Sequence, residues 1–262
     1  MKFSKRIMMA LVAAVALSAM LITGCAGGGG SITIGGSTTV QPLSEAWTET
    51  FTPSSDVEIS VQGGGSSAGV KGAADGTLDI GSASREMKDS EASEFPNLIV
   101  HHVAADGVAI VVHPSNDVSD LTLEEVRDIF AAGSGDEWTV INREEGSGTR
   151  EVYEDIVMDG VKVAPNAEFL PSNGAVKQKV AATENAIGYV SLGYVDSSVK
   201  AVKVDGVVCS EDNVVNGSYP VMRYLNYITD GEPEGIVKEY IDYCLSAAGQ
   251  QIAADEGYIK LG

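Results

Sequence analysis

Three stretches of this chain follow one plan: a short β-rich run, a turn of glycines and hydroxyl residues, then a helix start. Ile32-Thr33-Ile34 leads into Gly35-Gly36-Ser37-Thr38-Thr39, then Pro42-Leu43-Ser44. Val57-Glu58-Ile59-Ser60-Val61 leads into Gly63-Gly64-Gly65-Ser66-Ser67, then Ala68-Gly69-Val70. Trp138-Thr139-Val140-Ile141 leads into N-R-E-E-G-S-G-T-R at 142–150, then a helical pattern through Met158. Glycines allow a sharp turn and close approach of backbone to a ligand. A hydroxyl at Ser147 or Thr149 suits a helix N-cap. The free N–H groups and positive end of a starting helix favour an oxyanion, and Arg143 adds a planar fork of donors. One such turn is as readily a capped surface helix. Three in one chain point to strand ends that meet at a ligand, since open α/β sheets bind outside the carboxyl ends of their strands.

The rest of the chain alternates short strands with amphipathic helices, which argues an α/β fold. Strands are expected at 32–34, 57–61, 78–80, 98–103, 107–112, 138–142, 187–190 and 199–204. Helices are expected at 41–50, 68–74, 122–131, 150–158, 174–182, 233–247 and 249–256. Leu123, Val126, Ile129 and Phe130 form the buried stripe of one helix. Gly107 to Val112 reads as a buried strand. It ends at His113-Pro114, and Asn216-Gly217-Ser218-Tyr219-Pro220 is a second turn. These two places are the expected crossings between lobes. The first lobe then comprises 32–110 and 219–262, and the second 111–218, with a cleft between them as the preferred ligand site.

Residues 1–24 carry Lys2, Lys5 and Arg6 before an apolar run and read as a secretory signal. It ends in Leu21-Ile22-Thr23-Gly24-Cys25, the pattern of a lipoprotein signal, with Cys25 as the lipidated residue. Residues 25–31 then form a glycine-rich tether, and the mature chain is held on the outer face of the cell membrane. Loss of those three cations takes the net charge from −20 to −23. A surface so acidic excludes nucleic-acid binding through a basic face. It does not exclude an anion held by local donors in a dry cleft, where distant charge is screened beyond about 8 Å at physiological salt. Cys209 and Cys244 are expected to be unpaired, buried thiols. No His/Cys cluster suggests a metal.

Taken together, G-S-T-T-V-Q-P at 36–42, G-G-G-S-S-A-G-V at 63–70, L-D-I-G-S-A-S-R at 78–85, D-G-V-A-I-V-V at 106–112, N-R-E-E-G-S-G-T-R at 142–150, A-I-G-Y-V at 186–190 and G-Y-I-K-L at 257–261 resemble the phosphate-binding lipoproteins of phosphate ABC transporters. The resemblance spans essentially the whole mature chain. It implies a two-lobed type II periplasmic-binding-protein fold with two crossover strands at its hinge. It implies a receptor, not an enzyme, that needs no cofactor and hands phosphate to an ABC permease and its ATPase, acting as a monomer. Thr38 matches the first-loop hydroxyl ligand and Thr39 its neighbouring backbone donor. Ser66 matches the second-loop ligand, Arg143 the arginine of the second lobe, and Ser147, Gly148 and Thr149 the donating turn. Glu145 matches the acid that holds the arginine, with Ser37 and Arg85 behind the ligands. In the third loop the family's aspartate is replaced by Ser84. A serine hydroxyl can accept or donate, so the basis for preferring protonated phosphate to sulfate, molybdate or tungstate is left open at this position.

A rival reading comes from Gly65-Ser66-Ser67-Ala68-Gly69, which fits the G-x-S-x-G elbow of serine hydrolases with Ser67 as nucleophile. Only His101, His102 and His113 could serve as its base. Gly63-x-Gly65-x-x-Ala68 lacks Rossmann context, and Val70 stands where a Walker loop needs lysine.

Overall fold

The computed structural model describes residues 30–262. Cys25, the signal and nearly all of the tether lie outside the described residues. The chain runs β1 (Gly30–Gly36), α1 (Gln41–Thr50), β2 (Val57–Gly63), α2 (Ser66–Asp75), β3 (Ile80–Ala83), α3 (Asp89–Glu94) and β4 (Leu98–Val112). It continues through β5 (Asp120–Leu121), α4 (Leu123–Ala132), β6 (Thr139–Arg143), α5 (Gly148–Tyr153), β7 (Glu168–Leu170), α6 (Asn173–Ala181) and β8 (Ala186–Ser191). It closes with β9 (Lys200–Ala201), β10 (Lys203–Val204), α7 (Glu211–Val215), β11 (Met222–Asp230), α8 (Gly235–Leu245) and α9 (Ala247–Asp255). α5 widens into a π-helical turn over Glu154–Met158.

One strand path, β2-β1-β3-β11-β4-β8-β6-β7, carries both halves of the molecule. β1 is parallel to β2 and β3, and β6 is parallel to β7 and β8. β11 runs antiparallel to both β3 and β4. The sequence suggests two strands at 98–103 and 107–112; the structure has a single strand of 15 residues. Gly107 does not break it, because β4 changes partner there. Leu98 to Gly107 pair with β11, and Val108 to Val112 pair with β8. The last ten residues of β4 are buried, which explains their nearly unbroken small and apolar run. The strand β11 is absent from the sequence expectation, since Arg223 and Asn226 interrupt its apolar pattern.

Two main cores lie along this path. One gathers Ile32, Ile34, Leu43, Trp47, Leu225, Tyr227 and Tyr240. The other gathers Val108 to Val112, Phe130, Tyr153, Val176, Ile187 and Tyr189. The stripe expected of α4 contributes Val126 and Phe130 as buried residues and Leu123 and Ile129 as half-buried ones. Thr122 caps that helix in a reciprocal box with Glu125. Cys244 lies in the first core and Cys209 in the second, both free. Burial raises both thiols, Cys209 to about 12, so neither is a reactive thiolate.

At the first repeated turn, Gly36 has φ +128°, and a Cβ there would lie 2.3 Å from Ser82 O and 2.6 Å from Gly69 Cα. Glycine lets β1 end against β3 and α2. Trp47 anchors this half: it is wholly buried, its Nε1 donates to Gly249 O at 2.7 Å, and its ring meets Tyr227 edge-on at 5.9 Å. Trp47→Ala should therefore destabilise the protein by about 3–5 kcal/mol in urea denaturation. A loss below about 1 kcal/mol would show that this core does not depend on it.

Candidate functional site

The turns after β1, β2, β3 and β6 converge, and the residues in them are nearly dry. Thr38, Thr39, Ser66, Ser84, Arg143, Ser147 and Thr149 are all buried. The two halves touch through polar side chains. Arg143 Nη2 donates to Thr38 Oγ1 at 3.1 Å, and the Thr39 and Thr149 hydroxyls are 3.1 Å apart. Ser67 N donates to Gly146 O at 3.1 Å. Tyr194 OH donates to Thr38 O at 2.7 Å, and burial pushes that phenol up to about 12, so it keeps its proton. Gly148 sits where the halves press together. A Cβ on it would stand 2.4 Å from Ser66 Oγ and 3.0 Å from Ser84 Oγ.

Arg143 is the buried charge of this cluster, with a side-chain exposure of 1%. Its Nε and Nη2 donate to the two carboxylate oxygens of Glu144, each at 2.8 Å. The acid holding the guanidinium is thus Glu144, not Glu145, which is exposed. The correction has a local cause. Beyond β6 the Glu144 N–H bonds Leu170 O, and Glu144 O accepts from Ser147 N, so the turn carries the next residue outward. Arg143 Nη1 is buried and has no hydrogen-bond partner. A buried guanidinium proton without an acceptor is costly, and the neighbouring Nη2 already bonds the Thr38 hydroxyl.

Ser147 is the N-cap, its Oγ accepting from Arg150 N at 3.3 Å. Ser37 Oγ takes the Thr39 N–H at 3.2 Å. Thr39 therefore presents its hydroxyl rather than its amide to the cluster. Ser66 Oγ accepts from Ser84 N at 3.0 Å and lies 3.4 Å from Ser84 Oγ. Arg85 turns away from these hydroxyls. It makes a two-pronged bond to Glu91 at 2.7 and 2.8 Å and a 3.1 Å bond to Ser67 Oγ. Its Nε is 2.8 Å from Glu151 Oε2, an ion pair whose angle is too poor for a hydrogen bond. Arg85 so ties the third turn to α5 across the mouth.

Four residues that the sequence reading missed complete the network. Asp106 is fully buried and paired with Arg223 at 2.6 and 2.9 Å. Burial pushes the Asp106 carboxyl up, and Arg223 opposes that shift. Asn173, at the start of α6, donates to Thr39 Oγ1 at 2.8 Å, and Tyr194 completes the set. The signal for the charged pair was present: one aspartate and one arginine, each alone in an apolar run.

A cavity of about 710 Å³ lies beside this cluster. Arg85, Lys88, Arg150 and Arg223 line it, but so do Glu86, Glu145, Glu151, Glu154 and Asp155. Carboxylates of that number make it a poor anion site. Ser67 is no hydrolase nucleophile: its Oγ is taken by Arg85, while His101, His102 and His113 bond Thr229, Asn226 and Ser115. Among the described residues, no cluster of His, Cys, Asp or Glu could hold a metal, and no helix is long and apolar enough to cross a membrane.

This architecture is that of a type II periplasmic binding protein, two α/β lobes joined through shared strands. The family model described as a PBP superfamily domain matches residues 23–248. The phosphate-binding protein PstS of Bacillus subtilis is 35% identical over 244 residues, covering 88% of this chain and 81% of that protein. PstS of Pseudomonas aeruginosa is 30% identical over 269 residues, covering 88% and 83%. A putative phosphate ABC transporter substrate-binding protein from Clostridium perfringens, solved with bound phosphate, superposes with a TM-score of 0.83 at 41% identity, covering 88% of this chain and all of that one. The chain belongs to the PstS family of phosphate-binding proteins.

The Glu144 assignment has a direct test. Glu144→Ala should cost about 2–4 kcal/mol in chemical denaturation, because it strands a buried guanidinium. Glu145→Ala should fall within about 0.5 kcal/mol of the native protein. Equal effects of the two would contradict the assignment.

Proposed function

We propose that this chain is an extracytoplasmic receptor for inorganic phosphate that delivers its ligand to an ABC permease and its ATPase. The observation that carries the reading is Arg143 Nη1, a buried donor without an acceptor on a guanidinium whose Nη2 reaches Thr38 of the other lobe. An anionic oxygen is the acceptor such a place favours. The proposed ligands are Thr38, Ser66 and Ser84 from the first lobe and Arg143, Ser147, Gly148 and Thr149 from the second, with the Thr39 hydroxyl behind Thr149. The hinge lies where β4 changes partner and where the chain returns to β11. Closing it excludes water and strengthens each bond to the ion. Lipid on Cys25 holds the receptor, as a monomer, at the outer face of the membrane. The relatives' names support the ligand, and the sequence around Cys25 supports the anchor.

Calorimetric titration tests the ligand. Phosphate should bind more tightly than sulfate or molybdate near neutral pH; a preference for either of the others would replace phosphate with that ion. Arg143→Ala should weaken phosphate binding at least tenfold, about 1.4 kcal/mol; an unchanged affinity would remove Arg143 from the site. Gly148→Ala should weaken binding by a similar factor while the protein stays folded, since its methyl would meet Ser66 Oγ.

A second reading, the same receptor for another tetrahedral oxyanion, is favoured by Ser84. Phosphate keeps a proton that sulfate lacks, and a fixed acceptor would reward it. A donor facing a donor leaves a group unpaired at about 1–3 kcal/mol. Ser84→Asp should therefore raise the preference for phosphate over sulfate. No change would show that the native site already contains a sufficient acceptor.

A further inference from the structure

Thr39 has three polar neighbours, and two of them can only donate. Asn173 Oδ1 accepts the Ser191 N–H at 3.1 Å. A backbone N–H has no lone pair, so the amide orientation is fixed and Nδ2 is the group 2.8 Å from Thr39 Oγ1. Arg223 Nη2 lies 3.2 Å from the same oxygen, and a guanidinium has no acceptor. A hydroxyl has two lone pairs and one proton. Both lone pairs of Thr39 are taken, so its proton is directed at its third neighbour, Thr149 Oγ1, 3.1 Å away. Thr149 accepts it and turns its own proton to the cleft.

Arg223 is itself locked. Its Nε and Nη2 bind Asp106 Oδ2, and its Nη1 donates to Ser84 O at 3.3 Å. The other Asp106 oxygen accepts from Ser191 Oγ at 2.9 Å and Leu192 N at 3.1 Å. Asp106, Arg223, Thr39, Asn173 and Ser191 thus form a closed ring of hydrogen bonds in which Arg223 and Ser191 donate to both neighbours and Asp106 and Thr39 accept from both.

We propose that Arg223 and Asn173 are specificity-determining positioning residues: by filling both lone pairs of Thr39 they fix the proton order Thr39 to Thr149 to anion, and so select the doubly charged form of phosphate. This rests on the phosphate reading above. Thr149 and Arg143 Nη1 then face the ion as donors, and Ser84 Oγ has a lone pair for a P–OH group. Ser66 Oγ already accepts from Ser84 N and can take the Ser84 proton. The dibasic ion offers three bare oxygens to these donors and one P–OH to Ser84. The monobasic ion offers only two, its third being protonated and a weaker acceptor.

Other charged or titratable groups face this knot. Arg143 and Glu144 approach from β6, Arg150 and Glu151 from α5, and Glu45 from α1. Tyr194 and Tyr258 keep their protons because burial raises them. None of these is a histidine; His102 bonds Asn226 instead. Asp106 is the carboxyl that burial raises; a proton on it would favour an anion at the lower pH, so tighter binding at pH 8 reports the ligand.

The experiment is calorimetric titration of the full mature chain with inorganic phosphate at pH 6 and pH 8, with sulfate as a dianion at both. The native protein should bind phosphate roughly tenfold more tightly at pH 8, with sulfate affinity nearly level. Asn173→Ala frees one lone pair of Thr39 without changing any charge. It should reduce the phosphate ratio to about twofold or less. The double variant Asp106→Asn with Arg223→Met frees the other lone pair and removes the buried ion pair as a unit. It should flatten the ratio in the same way, with folding checked by thermal melting. A level native profile overturns the proposal, and needs no variant. So does a folded variant that keeps the native ratio, because charge attraction alone would then account for it. Absence of phosphate binding at either pH would instead overturn the receptor reading itself.

Discussion

The Arg143 guanidinium is removed from water, and Glu144 satisfies only one edge of it. A buried charge needs a partner and hydrogen bonds for its remaining protons. Thr38 takes one, from the other lobe. The orphaned Nη1 makes the closed molecule incomplete without an acceptor. In the receptor we propose, that acceptor is an oxygen of the ion, so one side chain both joins the two halves through Thr38 and holds the ligand.

The scaffold holds the cluster through shared strands rather than through a flexible linker. β4 belongs to both sheets, and Asp106 sits just before it changes partner. Asp106 meets Arg223 of the returning strand β11 and Ser191 at the end of β8. The ring that orders the hydroxyls therefore passes through strands shared by both halves. Glycine at 148 allows the two walls to meet, where any side chain would collide with Ser66.

Much of this was legible in the chain, for reasons that differ by residue. The three glycine and hydroxyl turns announced themselves because backbone geometry demands those residue types there. Thr38, Ser66, Arg143 and Thr149 followed from them. Glu144 and Glu145 are not distinguishable by sequence, because two adjacent acids differ only in the path of the turn, which the Leu170 hydrogen bond sets. The Thr39 amide, a donor by resemblance, is already held by Ser37. β11 escaped notice because Arg223 and Asn226 are buried for polar reasons, which periodicity does not register. Asn173 is distant in sequence from every turn it serves, and nothing local distinguishes it from an ordinary residue at a helix start.

A crystal structure of the protein grown with phosphate tests the central claim most directly. The account requires one phosphate oxygen within about 3 Å of Arg143 Nη1, with hydroxyls of both lobes around the same ion. Phosphate seated in the neighbouring cavity between Arg85 and Arg150, with Arg143 Nη1 still lacking an acceptor, would contradict it.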